Sequence, residues 1–184
     1  GAWALTKESK ILNCKNNASA LFKRDIKAVA GNDIRLAGMF NTEGNGTAAL
    51  TLSGCHNYAP FTISHPKIRC LGGIGGGVAA KTMPVTITDC HNHGALTVDV
   101  EPQYATAVNY AGIVGLFYGY GVDNSTVTGC TNNGAIVDKM TGTGDHNVAG
   151  IIGHLQIGVK ISSCTNNARI ESDQAVGRSV LGGI

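Results

Sequence analysis

Five cysteines, Cys14, Cys55, Cys90, Cys130 and Cys164, recur at intervals of 41, 35, 40 and 34 residues. Each keeps the same company. Two residues later stands Asn16, Asn57, Asn92, Asn132 or Asn166, and three residues earlier Ile11, Leu52, Ile87, Val127 or Ile161. A second phrase falls between the cysteines: LAGM at 36–39, LGGI at 71–74, YAGI at 110–113, VAGI at 148–151 and LGGI at 181–184. In three copies a further glycine follows, Gly76, Gly115 or Gly153, whereas the first copy has Asn41. Units repeated in this way cannot each bury an apolar face alone. They fold by stacking on their neighbours.

The pattern inside the unit selects strands. VTIT at 85–88 and STVT at 125–128 alternate apolar residues with Thr, the period of a half-buried strand. The residue before each cysteine is Asn13, Gly54, Asp89, Gly129 or Ser163, all turn formers, so a corner is predicted there. A second short strand follows, as in ALTVDV at 95–100, and the glycine phrase reads as a third strand with close backbone approach. The expected fold is all-β, a right-handed parallel β-solenoid with residues 1–184 as one repeat domain. Stacking places equivalent residues about 4.8 Å apart. The asparagines then form an amide ladder and the aliphatic positions an apolar one. The segments 22–30 and 101–108 have some helical character, but neither recurs, so helices do not define the fold.

One cysteine per coil at an equivalent position argues against disulfides. Side chains stacked in register run parallel, while a disulfide needs converging Cβ vectors. Buried thiols in a ladder are the expectation. Cys70 lies outside this register, and the sequence alone offers no role for it.

Composition narrows function by exclusion. A formal net charge of +2 with no basic patch and interleaved aromatics gives no footprint for nucleic acid. No run approaches the roughly 18–20 apolar residues of a membrane helix. Charged residues make up 14% of the chain, and none of the 12 acidic residues repeats in a column as a catalytic pair would. GxSxG, CxxC and HExxH are absent, and GGIGGG at 72–77 lacks the Lys-Ser/Thr of a phosphate loop. DCHNH at 89–93 brings Asp89, His91 and His93 together, with His56 on the adjoining coil, a set suited to zinc. Lys15, Thr131 and Thr165 share that column, however, and favour a plain polar face. No metal, cofactor or catalytic residue is assigned.

Together the two phrases, best at 111–115 with 127–136 and at 149–153 with 161–170, resemble the GLUG-type repeats of bacterial surface proteins. The resemblance implies a cell-surface or secreted protein of the kind common in gut Bacteroidetes, often a large adhesin. The expected function is therefore non-enzymatic: adhesion or display toward a host or microbial glycan or surface protein. The alternatives are a structural spacer and a carbohydrate-active β-helix enzyme. Binding is expected in variable loops at 40–47, 65–70, 101–109 and 117–124, with Tyr104, Phe117, Tyr118 and Tyr120 as candidate contacts. For Phe117, Tyr118 and Tyr120 the competing account is ordinary packing against the coils. The chain starts and stops within repeats and lacks polar caps. That predicts a segment of a longer protein, or end-to-end self-association through open strand edges.

Overall fold

The computed structural model describes residues 7–18, 20–22, 34–42, 48–64, 68–80, 84–99, 107–119, 124–140, 144–156, 158–173 and 179–184. These residues build a parallel β-solenoid with no helix among them. The segments 23–30 and 101–106, which carry most of the helical character in the sequence, lie outside the described residues.

Each coil begins on the first sheet, made of Ser9–Leu12, Leu50–Ser53, Val85–Thr88, Ser125–Thr128 and Val159–Ser162. The predicted corner follows. Asn13, Gly54, Asp89, Gly129 and Ser163 all adopt the left-handed backbone region, with φ between 50° and 66°. Glycine takes this conformation at no steric cost, and Asn, Asp and Ser tolerate it through local hydrogen bonding. The second sheet is five two-residue strands: Lys15–Asn16, His56–Asn57, His91–Asn92, Thr131–Asn132 and Thr165–Asn166. The third comprises Ala20–Phe22, Phe61–Ile63, Leu96–Val98, Ile136–Asp138 and Ile170–Ser172.

The glycine phrase does not form the single strand expected of it. It bends, ending the fourth sheet (Ile34–Ala37, Ile68–Gly72, Val108–Ala111, His146–Ala149 and Ser179–Gly182) and opening the fifth (Gly75–Ala80, Val114–Gly119 and Ile152–Leu155). The physical reason is steric. A Cβ at Gly73 would collide with the Asn92 amide, and one at Gly112 with the Asn132 amide and the Gly150 carbonyl. The bend is thus pressed against the asparagine ladder of the next coil, and only glycine fits between them. The two repeated phrases are the two halves of one contact.

Register follows the sequence columns. Ile11, Leu52, Ile87, Val127 and Ile161 are consecutive partners in the first sheet. The interior holds two apolar clusters. One joins the first sheet to the glycine-phrase bend and the fifth sheet through residues such as Leu52, Ile87, Val127, Ile74, Ile113 and Phe117. The other joins the third and fourth through Ile63, Leu96, Leu71, Tyr110 and Val148. Burying each such side chain fully is worth about 1.5–3 kcal/mol, which favours the middle coils, where these residues are enclosed. The terminal coils are more open: Leu12 and Leu181 are exposed.

Candidate functional site

The corner carries a continuous chain of side-chain amides through all five coils. Asn16 Nδ2 donates to Asn57 Oδ1 at 3.0 Å. The links from Asn57 to Asn92, Asn92 to Asn132 and Asn132 to Asn166 are each 2.8 Å. The second Nδ2 proton of Asn57, Asn92 and Asn132 goes to the carbonyl two residues on, and Asn166 Nδ2 makes the same local bond. This is the predicted ladder, and it satisfies side chains that are fully buried in the middle coils.

The cysteines lie beside it, and no disulfide joins any of the six. Cys55, Cys90 and Cys130 are buried, Cys164 is half-buried and Cys14 is exposed. Each ladder thiol reaches the carbonyl two residues earlier, at 3.4–3.5 Å. The Cys90–Cys130 hydrogen bond draws the Cys90 thiol down and pushes the Cys130 thiol up, while burial raises that of Cys55. Enclosed thiols of this kind pack the corner as small apolar side chains. Cys70 is also buried, at the register position held by Asn109 in the next coil.

Of the candidate contacts, Phe117 and Tyr118 belong to the fifth-sheet strand Val114–Gly119, not to a loop. Phe117 is fully buried in the core. A parallel sheet buried on both faces reads as a continuous apolar run, so nothing local distinguished it from a loop aromatic. Tyr118 is half-buried and works as a brace. It accepts a hydrogen bond from Arg35 Nη1 at 2.6 Å, donates to the Thr42 carbonyl at 3.3 Å, and lies under the Arg35 guanidinium. Tyr104 and Tyr120 lie outside the described residues. Ile68 and Cys70 are likewise in a strand, as are Val108 and Asn109, so the loops are shorter than expected.

The outward-facing chemistry concentrates on the second sheet. Its asparagines point in, so the residues on either side point out, as strand alternation requires. One outer column is Lys15, His56, His91, Thr131 and Thr165. A parallel column one step further contains Tyr58, His93, Asn133 and Asn167. Its backbone amides at 58, 93, 133 and 167 bond the carbonyls of Asn16, Asn57, Asn92 and Asn132. Four rings from the two columns meet. Tyr58 stacks on His93 with centroids 4.5 Å apart and planes 6° from parallel, and His56 lies 4.8 Å from His91. His56 Nδ1 is 3.4 Å from His93 Nε2 and 3.5 Å from Tyr58 Oη. An amide row continues from this cluster, with Asn133 Nδ2 3.5 Å from His93 Nδ1 and Asn167 Nδ2 donating to Asn133 Oδ1 at 3.0 Å.

Partial burial lowers the pKa of His91 and His93, and the neighbouring histidines lower it further; Asp89 opposes this at His91. Both imidazoles are therefore held toward the neutral form, which offers lone pairs and ring faces. The sequence pointed to His56, His91 and His93 but missed Tyr58, whose place in the His93 column was readable from the cysteine register. Among the described residues no group of three His, Cys, Asp or Glu is arranged to hold a metal ion.

A second polar cluster is internal. Asp138 and His146 are fully buried, with His146 Nδ1 2.6 Å from Asp138 Oδ2. The carboxylate also accepts from the Met140 amide at 3.1 Å and from Ser172 Oγ at 3.0 Å. Among the described residues, His146 Nε2 has no hydrogen-bond partner. The pair faces no solvent, so its role is within the core. Comparison with protein-family models, with curated proteins and with solved structures finds no match.

Proposed function

We propose that this chain is a non-catalytic module of an extracellular or bacterial surface protein that binds a glycan or surface protein through the outer face of its second sheet. The observation that carries this reading is the row of Tyr58, His93, Asn133 and Asn167, held in line by the backbone ladder beneath it. Tyr58 is 43% exposed although stacked. An aromatic ring beside amides pairs an apolar platform with donors and acceptors, which suits a sugar. The resemblance to GLUG-type repeats supports the surface location. A rigid ladder also supports affinity, because little conformational freedom is lost on binding.

Multivalent display of the folded protein on an array of glycans and matrix proteins tests this. A saturable signal lost in Tyr58→Ala and Asn133→Ala variants is expected. A blank array with folded protein would sink the binding reading and favour a spacer, for which the in-register pairing of the first and second sheets through all five coils is the supporting observation. Cleavage of an arrayed polymer would favour the enzyme reading instead.

A further inference from the structure

The outer face of the second sheet has a period, and the period restricts what can lie on it. Tyr58, His93, Asn133 and Asn167 are exposed, and the backbone amide of each bonds a carbonyl of the coil before it. Adjacent strands of a sheet lie about 4.7–4.9 Å apart. The row is therefore evenly spaced and runs parallel to the solenoid axis. A second row, His56, His91, Thr131 and Thr165, runs beside it in the same register. The residues between the rows, Asn57, Asn92, Asn132 and Asn166, turn inward to the amide ladder. The two rows thus border a shallow track, two residues or roughly 6.6 Å across.

From this we propose that the track takes an uncharged polysaccharide of diequatorially linked sugars, laid along the axis with one sugar per coil. The inference rests on the glycan reading above and narrows it to one polymer shape. The step carries the assignment. A diequatorially linked chain is extended and advances per sugar by nearly the rise of one rung. An axially linked chain curls and leaves the row after a sugar or two. The rungs also suit a repeating partner. The fourth and fifth coils present the same pair, Thr131 with Asn133 and Thr165 with Asn167, a hydroxyl and an amide on either side of the track. Asn167 donates one amide proton to Asn133, which fixes both side chains and leaves the Asn167 carbonyl oxygen as an acceptor. On the other two rungs Tyr58 stacks on His93, and His56 meets His93 through an imidazole–imidazole contact of 3.4 Å. Groups already held in place lose little freedom on binding. Charge selects an uncharged chain. Neither row of four holds a carboxylate or a permanent cation, and Lys15 stands only at one end of their columns. A polyanion would find no cation from rung to rung and would meet Asp89, whose charge is felt at His91.

The test is calorimetric titration of the folded protein with cello-oligosaccharides and chito-oligosaccharides of two to six sugars, with malto-oligosaccharides as the axially linked comparison. In at least one of the first two series affinity should climb with each added sugar up to four, the number of rungs, and then level. The malto series should show no such climb. Asn167→Ala should weaken binding of the tetrasaccharide by about fivefold, the effect of losing one neutral hydrogen bond, and of the disaccharide by less. Affinity independent of chain length would overturn the inference and leave the glycan reading standing. So would malto-oligosaccharides bound as tightly as the other two series, or binding confined to branched glycans or to proteins. No binding to any glycan or protein would sink the inference and the binding reading together.

Discussion

Two buried polar arrangements sit inside the same stack and are built on opposite plans. The amide chain from Asn16 to Asn166 uses one residue type at one register position in every coil. Each internal asparagine accepts from the coil before and donates to the coil after. Asp138 and His146 stand alone. Along their sheets the neighbours of Asp138 are Val98 and Ser172, and Val108 precedes His146. Repetition lets polar groups satisfy one another. A unique pair must bring its own partners, and among the described residues the carboxylate has three while His146 Nε2 has none.

The sharpest way to break the repeated arrangement is through the glycine packed on it. In Gly112→Ala the new methyl overlaps the Asn132 amide and the Gly150 carbonyl, both set by neighbouring coils. The expected loss is about 4 kcal/mol or more, in the exceptional range for one substitution. Gly183→Ala, with nothing near the added methyl, should stay within about 0.5 kcal/mol of the parent. Urea denaturation of both variants decides it, and equal stabilities would refute the glycine–asparagine contact.

The unique pair should fail differently. Asp138→Ala leaves His146 buried beside a void and is expected to cost about 3–5 kcal/mol. Asp138→Val with His146→Val restores the apolar character that Val98 and Val108 give the neighbouring coil. It should recover most of that loss, short by the about 1–3 kcal/mol of leaving the Met140 amide without an acceptor. A double variant no better than the single one would mean that the pair is not an isolated substitution into an apolar column.

The smallest effect belongs to the outer face. The folded protein holds His91 and His93 below the ordinary imidazole value of 6.5. The unfolded chain therefore binds protons more readily there. Their contribution is fully present above pH 6.5 and is lost as pH falls through the folded values. Both groups are substantially solvated, so the loss is small. Denaturation at pH 7.5 and 5.5 should show a pH sensitivity reduced in a His91→Gln/His93→Gln variant; an unchanged sensitivity would remove the histidines as its source.

Much of the fold was legible before folding. The corner residues, the amide ladder and the inward cysteines all followed from columns in the sequence, because in-register stacking turns sequence period into spatial neighbourhood. The bend at the glycine phrase was not legible. Its cause, the amide of Asn92 or Asn132 on the next coil, appears in no local pattern. The site was legible in part. His56, His91 and His93 stood out by type and column, whereas Tyr118 looked like a loop ring and is instead a brace between Arg35 and Thr42.

The division has a physical origin. A repeated residue meets its own kind, so its partner is known as soon as its period is. A non-repeating side chain meets whatever register and rotamer place beside it. Tyr118 finds Arg35 across 83 residues, and His93 finds His56 across 37. The repeat therefore set the architecture of this protein, and the stacking of unlike residues on that architecture decided where its chemistry lies.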